Sequence, residues 1–109
     1  MKVLITGGAG FIGSHLAERH LSMGDDVEII DNLSTSDITN VQHLESHAKC
    51  NCVIDDILNV EVMRSLVADA ELIYHLAAAV GVEYVLQNPL QTLTTNIRGT
   101  EILLELANE

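Results

Sequence analysis

The fold of this chain is decided by the stretch Thr6-Gly7-Gly8-Ala9-Gly10-Phe11-Ile12-Gly13. It follows a short apolar segment at residues 3–5 and leads into an amphipathic segment that begins at Phe11. A strand, a glycine-rich turn and a helix in this order are typical of dinucleotide-binding folds. Glycines let the backbone turn sharply and approach a pyrophosphate, and the N-terminus of the helix offers unpaired N–H groups. The alternative interpretation is an ordinary tight turn.

A carboxylate stands where such folds bind the ribose of the cofactor. Residues 26–30 are predicted to form the second strand, and Asp31 follows directly. An acidic residue about 20 positions after the glycines accepts hydrogen bonds from the ribose hydroxyls and would repel a 2′-phosphate. Because no Lys or Arg lies between residues 31 and 41, the sequence favours NAD over NADP. A solvated loop Asp is the alternative.

Composition indicates one compact domain. The chain has 109 residues, 48% of them hydrophobic, which fits a single domain over residues 1–109. Sixteen acidic and 5 basic residues give a net charge of −11, which argues against binding to nucleic acid or to an anionic membrane. No apolar run approaches the roughly 18 residues of a membrane span, and the chain starts with a strand and not a leader. We therefore expect a cytoplasmic protein.

The cysteines and histidines do not predict a metal centre. Cys50 and Cys52 lie two residues apart, where a disulfide would be strained, so we expect reduced thiols. Together with His47 they do not form a standard zinc pattern. His75 ends the predicted fourth strand and is expected to be a hydrogen-bonded structural group.

Strands and helices alternate along the chain. We predict strands at residues 2–6, 26–30, 51–54 and 72–76. We also predict four helices: one at residues 11–23, a short one at 38–46, one that Asn59 caps at its N-terminus, and one that begins at Pro89. This pattern predicts an α/β fold, the N-terminal half of a doubly wound, Rossmann-like parallel sheet with strand order 3-2-1-4. Because strand four would be an open edge, we interpret the domain as incomplete at its C-terminus. In the last helix, an apolar stripe is predicted to face the core: Leu90, Leu93, Ile97, Leu103 or Leu104, and Ala107.

Five ordered motifs extend this interpretation over the whole chain. They are the glycine stretch through Leu16, Asp31-Asn32-Leu33-Ser34, Asp55-Asp56-Ile57, His75-Leu76-Ala77-Ala78-Ala79, and Thr95-Asn96-Ile97-Arg98-Gly99-Thr100 after Asn88-Pro89-Leu90. With these motifs the chain resembles the NAD-dependent epimerase/dehydratase family, the nucleotide-sugar epimerase-like branch of the extended short-chain dehydrogenases/reductases.

The resemblance implies a set of cofactor-binding residues. In this family Asp31 would meet the ribose, Asp56 the adenine amino group, and Thr95, rather than Asn96, the cofactor. The implied NAD-binding residues are Gly7, Gly10, Phe11, Ile12, Gly13, Asp31, Asn32, Leu33, Ser34, Thr35, Ser36, Asp56, Ile57, Leu76, Ala77, Ala78 and Thr95.

The resemblance also implies what the chain lacks. Family members use a catalytic Tyr with a Lys four residues later, but Tyr74 and Tyr84 are followed at that spacing by Ala78 and Asn88. No catalytic residue is therefore predicted. The resemblance implies a parent enzyme that transiently oxidises a sugar carbon by hydride transfer to NAD and forms a homodimer when full length. It also implies that the isolated chain is inactive and that the nucleotide-sugar site lies outside it. A nucleotide-sugar decarboxylase, an NAD-sensing regulator of the same fold and a purely structural module remain open.

Overall fold

The computed structural model describes residues 1–78 and 82–109. The strands are β1 Lys2–Thr6, β2 Asp26–Asp31, β3 Cys50–Ile54 and β4 Leu72–His75. The α-helices are α1 Phe11–Ser22, α2 Val60–Asp69, α3 Val82–Gln87 and α4 Pro89–Ala107, and two short 3-10 helices cover Ile38–Asn40 and Gln42–Leu44. Within the described residues, no helix is both long and apolar enough to cross a membrane.

The four strands form one parallel sheet in the order β3-β2-β1-β4, which confirms the predicted α/β fold and strand order. In the register, Thr6 at the end of β1 pairs with Ile30 on one side and His75 on the other. Since the strands are parallel, their carboxyl ends meet at one edge of the sheet. The glycine turn and the loops after β2, β3 and β4 are thereby brought together.

Alternation along β1 gives the sheet a core on each face. Val3 and Ile5 point to the face covered by α1, whereas Leu4 points to the face covered by α2 and α4. All three side chains are at most 1% exposed. A parallel sheet normally has both faces covered, and this arrangement fixes the sheet between two helical layers.

The ends of α1, α2 and α4 are capped in three different ways. Gly24, with φ +86°, ends α1, where Gly24 N–H donates to Leu21 O and Asp25 N–H to His20 O. Asn59 caps α2 by accepting a hydrogen bond from Val62 N–H. Asn88 precedes α4 but does not cap it with its side chain. Its amide instead donates to Tyr84 O, because α3 ends directly before it.

Two predictions about helices were wrong. Residues 38–46 form two 3-10 turns and not one helix, and the first turn is capped by Asp37, which accepts a hydrogen bond from Thr39 N–H. Hydrogen bonds from Thr39 lower the pKa of Asp37 below its ordinary value. The predicted core stripe of α4 is largely on the surface, since Leu90, Leu93 and Ile97 are 78%, 60% and 54% exposed.

The face of α4 that is buried is a different one. It consists of Thr95, Gly99, Ile102, Leu103 and Leu106, so that only Leu103 of the predicted stripe lies in the core. The predicted stripe and the buried face both recur at helical intervals. The buried face begins with the small residues Thr95 and Gly99, which let the helix approach the rest of the fold more closely. Helix α3 was not predicted at all.

A buried histidine ties the end of α1 to the N-terminal residue and to β4. His20 Nδ1 lies 2.8 Å from Asp25 Oδ2, and His20 Nε2 lies 3.0 Å from Tyr74 Oη. The other Asp25 oxygen accepts a hydrogen bond from the Met1 ammonium group at 3.2 Å. The hydrogen bond from His20 is the main reason why the pKa of Asp25 is lowered from its ordinary value of 3.8, against an opposing effect of burial.

This network predicts a specific loss of stability in acid. A carboxyl with a lowered pKa in the folded state stabilises the protein above its ordinary pKa, and this contribution is lost as the pH falls below about 3.8. We expect Asp25→Asn to lower the free energy of unfolding at neutral pH and to reduce its dependence on pH between about 5 and 2. The measurement is urea unfolding across this range.

The exposed neighbour Asp26 supplies the matched control. Asp26→Asn should leave both the stability and its slope with pH close to those of the unmodified protein. Asp37 loses its own contribution in the same pH window, so Asp25→Asn should remove only part of the slope. Equal slopes for Asp25→Asn and the unmodified protein would show that the network contributes nothing.

Candidate functional site

An open cleft lies at the carboxyl edge of the sheet, where the neighbouring strands β1 and β4 are followed by α1 on one face and by α4 on the other. It is lined by Gly7, Gly10, Phe11, Asp31, Asn32, Ser34, Thr35, Ser36, Asp55, Ile57, Leu76, Ala77, Ala78 and Thr95. The lining thus comes from the loops after all four strands and from one side chain of α4. In open α/β sheets, ligands bind at such a switch point between strand connections.

The glycine turn forms the floor of the cleft. Gly7 has φ +71°, and its N–H donates to Ile30 O at 2.8 Å. A Cβ on Gly7 would lie 2.7 Å from Ala77 N, so no side chain fits between the turn and the end of β4. Gly13 is buried below the turn, where a Cβ would lie 2.6 Å from Gly7 O. Gly13 therefore lets α1 start against the turn without itself lining the cleft.

Asp31 holds the turn and the loop after β2 together. Its Oδ2 accepts hydrogen bonds from Ala9 N–H at 3.0 Å and from the Ser36 hydroxyl at 2.9 Å, and its Oδ1 accepts one from Leu33 N–H at 2.8 Å. The residue is only 8% exposed. The carboxylate thus lies in the cleft wall with its charge distributed over two backbone donors and one hydroxyl.

The loop after β2 has a conformation that leaves one predicted site residue outside the cleft. Leu33 has φ +61°, a region that side chains rarely adopt, and the bond from its N–H to Asp31 holds it there. Its side chain packs against the core beside α1. Asn40 ties this loop to the glycine turn by donating to Ala9 O at 2.8 Å.

The loop after β3 places Asp55, and not Asp56, along the cleft. Asp56 accepts hydrogen bonds from Leu58 N–H at 2.9 Å and from Asn32 Nδ2 at 3.4 Å, so its carboxylate serves the turn into α2. Ile57 lines the cleft and is otherwise buried. Sequence reasoning preferred Asp56 by its place in a motif, but two adjacent carboxylates after a strand give no signal for which one faces the cleft.

The far wall is formed by the end of β4 and by α4. Ala77 and Ala78 follow His75, and Thr95 is buried on α4, where it accepts a hydrogen bond from Gln91 Nε2 at 3.2 Å. Burial lowers the pKa of His75 below its ordinary value of 6.5, which favours the neutral imidazole. Ala79, part of the predicted segment, lies outside the described residues.

Of the residues predicted to bind a cofactor, the structure brings all to the cleft except Ile12, Gly13, Leu33 and Asp56. Ile12 is 65% exposed at the start of α1. The described residues of the lining include two carboxylates and no Lys or Arg. An anionic ligand in this cleft would therefore be held by uncharged donors, namely backbone N–H groups and the hydroxyl and amide side chains of the lining.

No side-chain cluster suited to a metal ion is found in residues 1–78 and 82–109. Cys50 and Cys52 are half-buried free thiols on β3, away from the cleft. Burial raises the pKa of Cys50 to about 12 and also raises that of Cys52, so both thiols are protonated at neutral pH.

Comparison with known proteins identifies relatives of the whole chain. A family profile described as GDP-mannose 4,6 dehydratase matches residues 4–109. The UDP-glucuronic acid decarboxylase 1 of Danio rerio is 38% identical over 106 residues, which is 97% of this chain and 24% of the relative. The chain thus spans about a quarter of the length of this curated relative.

Solved structures agree in fold. The UDP-glucuronic acid 4-epimerase of Bacillus cereus, solved in complex with UDP-glucuronic acid and NAD, is 36% identical, with a TM-score of 0.89 over 100% of this chain and 37% of the epimerase. The dTDP-glucose 4,6-dehydratase DesIV of Streptomyces venezuelae, solved with NAD bound, is 30% identical, with a TM-score of 0.87 over 98% of this chain and 35% of the dehydratase.

The family profile matches nearly all of the sequence. The same chain has the expected motifs, the strand order 3-2-1-4 and a cleft at the carboxyl edge of the sheet. This chain belongs to the NAD-dependent epimerase/dehydratases, in the family described as GDP-mannose 4,6 dehydratase.

Proposed function

We propose that residues 1–109 form the NAD-binding domain of an enzyme that transiently oxidises a carbon of a nucleotide sugar. One observation carries this proposal: the glycine turn and the Asp31 carboxylate lie in the same cleft, on adjacent strands. They are the two groups that a dinucleotide needs for its pyrophosphate and its adenosine ribose.

The glycine turn fits a pyrophosphate because it leaves space where a side chain would stand. Gly10 is the N-cap of α1, and a Cβ there would meet only Gly7 O, at 3.3 Å. The first N–H groups of a helix have no partner inside the helix, and the helix dipole makes them favourable for an anion. These groups, next to Phe11 and Ile12, would bind the phosphates without a cation.

The Asp31 carboxylate would accept hydrogen bonds from the ribose hydroxyls of the adenosine. Its Ser36 partner is a hydroxyl on a loop, and a ribose hydroxyl could take its place without loss of a hydrogen bond. The same carboxylate, with Asp55 nearby, would repel a 2′-phosphate, which supports NAD over NADP. The adenine would lie toward Ile57 and Asp56.

The nicotinamide end would lie against Ala77, Ala78 and Thr95, where small side chains leave room for a ring. When bound, NAD supplies the hydride acceptor for the oxidation of the sugar carbon. The residues of this chain would bind and orient the cofactor. The proton-transfer groups and the nucleotide-sugar site would come from other parts of the enzyme, so the chain alone would be inactive.

Among the reactions of the relatives, a decarboxylation is a second candidate. The relative from Danio rerio is a UDP-glucuronic acid decarboxylase, and the Bacillus cereus structure is an epimerase of the same sugar nucleotide. This similarity favours a nucleotide-linked uronic acid as the substrate over a neutral sugar.

We further propose that α4 carries a homodimer surface. Leu90, Leu93, Ile97 and Leu104 are between 54% and 78% exposed and recur at intervals of three, four and seven residues. Such a stripe on one helix is complementary to the same stripe on a second copy of the chain. Arg98, in ion pairs with Glu101 and Glu105, gives the stripe a flank with charges of both signs.

The pyrophosphate assignment predicts that affinity and stability can be separated. Gly10→Ala puts a methyl group into the proposed phosphate site at a backbone conformation that Ala tolerates, with φ −73° and ψ 173°. We expect binding of NAD, measured by titration calorimetry, to weaken about tenfold or more, equivalent to about 1.4 kcal/mol. The melting temperature should stay close to that of the unmodified protein.

Gly24→Ala is the matched control for this variant. Gly24 lies at the far end of α1 with φ +86°, so Ala should cost about 1–2 kcal/mol of stability and leave the affinity for NAD unchanged. If Gly10→Ala binds NAD as well as the unmodified protein does, the glycine turn is not the phosphate site.

The ribose assignment predicts a change in selectivity. Asp31→Asn removes the charge that repels a 2′-phosphate, and it also weakens the support of Ala9 N–H. The ratio of the dissociation constants for NADP and NAD corrects for this structural loss. We expect the ratio to fall about tenfold in Asp31→Asn. Ser36→Ala, which removes a hydroxyl bonded to Asp31 but keeps the charge, should leave the ratio unchanged.

The dimer surface predicts an oligomeric state that one substitution can change. We expect Leu93→Lys to convert a dimer to a monomer, because two lysines would be buried in the symmetric contact. Met23→Lys, at a similarly exposed apolar residue after α1, is the control and should remain dimeric. Sedimentation velocity measures both. A monomer in the unmodified protein, or the same effect from both variants, contradicts this surface.

A further inference from the structure

A continuous set of hydrogen bonds runs from the cleft backbone to α4 through His75. Ala77 N–H donates to Thr6 Oγ1 at 3.1 Å, and Thr6 Oγ1 lies 2.7 Å from His75 Nδ1. On the other side of the ring, His75 Nε2 lies 3.0 Å from Thr100 Oγ1. Thr100 Oγ1 in turn donates to Asn96 O at 2.9 Å. Three elements, β1, β4 and α4, are thereby linked through one imidazole.

The position of each proton in this set follows from counting donors. A threonine hydroxyl has one proton, and that of Thr100 is used toward Asn96 O, the usual bond of a helical Thr to the preceding turn. Thr100 Oγ1 can therefore only accept from His75, so the proton of the imidazole lies on Nε2.

The other side of the ring then follows. A neutral imidazole protonated at Nε2 has a bare Nδ1, which must accept, so the Thr6 hydroxyl donates to it. Thr6 Oγ1 keeps its lone pairs for Ala77 N–H. Thr6 is 0% exposed, so water cannot replace either bond without an opening of the sheet. Every donor in the set meets an acceptor in this arrangement only.

We propose that His75, as the tautomer protonated at Nε2, is a positioning residue that fixes the Ala77 backbone and helix α4 to each other in the far wall of the cofactor cleft. This inference rests on the proposed function, because it assigns His75 to the same cleft. We call the hydrogen bonds from Ala77 through Thr6, His75 and Thr100 to Asn96 the His75 relay. Burial lowers the pKa of His75, and this keeps the ring neutral, as the relay requires. An imidazolium would direct a second N–H at Thr6 Oγ1 and leave the Thr6 hydroxyl proton without its acceptor.

Apart from this bond, the described contacts of α4 with the core are apolar and are made by Gly99, Ile102, Leu103 and Leu106. At Gly99 a Cβ would lie 2.3 Å from Ile57 Cδ1, so the helix packs tightly on the cleft wall at that point. Apolar contacts bury surface without a preferred direction between two atoms. The bond from His75 to Thr100, one residue further on, is directional and sets the rotation that places Thr95 in the cleft.

Two measurements test the relay on the intact chain, and neither needs a bound cofactor. Long-range proton–nitrogen NMR of the histidine rings reports which nitrogen of His75 carries the proton, with the signal assigned by its loss in His75→Gln. Hydrogen exchange reports the protection of the Ala77 amide. Titration with NAD supplies the functional readout.

The variants separate the relay from a general effect on the helix. Thr100→Val removes the acceptor of His75, whereas Thr100→Ser keeps the hydroxyl and should restore all three readouts. Thr92→Val is the matched control, because Thr92 makes the same bond to the preceding turn, to Asn88 O at 2.7 Å, on the same helix. We expect Thr100→Val alone to change the tautomer signal, to speed exchange of the Ala77 amide, and to weaken NAD binding about fivefold.

The outcomes distinguish this inference from the proposed function. A His75 proton on Nδ1 in the unmodified protein overturns the relay, as does a Thr100→Val protein that matches Thr92→Val in tautomer and amide exchange. If the relay readouts behave as expected but the unmodified protein does not bind NAD, the proposed cofactor site is wrong while the hydrogen-bond assignment stands. In that case the role of His75 in the cofactor cleft is refuted as well.

Discussion

The contact of the glycine turn with the strands on both sides of β1 is the constraint on which the cleft depends. Gly7 N–H donates to Ile30 O on β2. Because Gly7 has no side chain, the backbone after β4 can approach it closely; a Cβ on Gly7 would lie only 2.7 Å from Ala77 N. The turn therefore closes against both neighbouring strands at once. The glycine turn thus lies between Asp31 on one side and Ala77 on the other, and its own contacts with these two residues set the width of the cleft.

Asp31 couples the stability of this turn to the recognition of the proposed cofactor. Its carboxylate already accepts from the Ala9 and Leu33 amides, and these bonds hold the turn and the strained loop in place before any ligand arrives. A ribose hydroxyl would take over the place of Ser36, and not that of the backbone donors. A preorganised acceptor of this kind costs little ordering on binding. It also means that affinity alone cannot describe what a substitution at this position does.

The sheet could be predicted from the sequence because each of its determinants is local. Short apolar strands, the glycine turn and a carboxylate after the second strand specify β1, β2 and their order, and right-handed connections leave few other topologies. Helix α4 could not be oriented in the same way, since Leu90, Leu93 and Ile97 form as regular a stripe as the buried one. The choice between the two faces depends on Gly99 against Ile57, a contact between distant parts of the chain. Likewise, backbone hydrogen bonds within one turn decide that Asp55 and not Asp56 lines the cleft.

The negative charge of the chain increases the importance of the backbone N–H groups in the site. With a net charge of −11 and two carboxylates in the cleft wall, the protein would repel an anionic dinucleotide at long range. Helix N–H groups counter this repulsion only at short range and only when they are aimed correctly, because a dipole loses its effect within a turn of the helix. Binding would therefore depend on the geometry of the backbone far more than it would in a site with a lysine. The hydrogen bonds through Thr6 and His75 fix the Ala77 backbone on the side of the cleft opposite Asp31. They position backbone there without a charged side chain, as the Asp31 carboxylate positions the glycine turn on its own side.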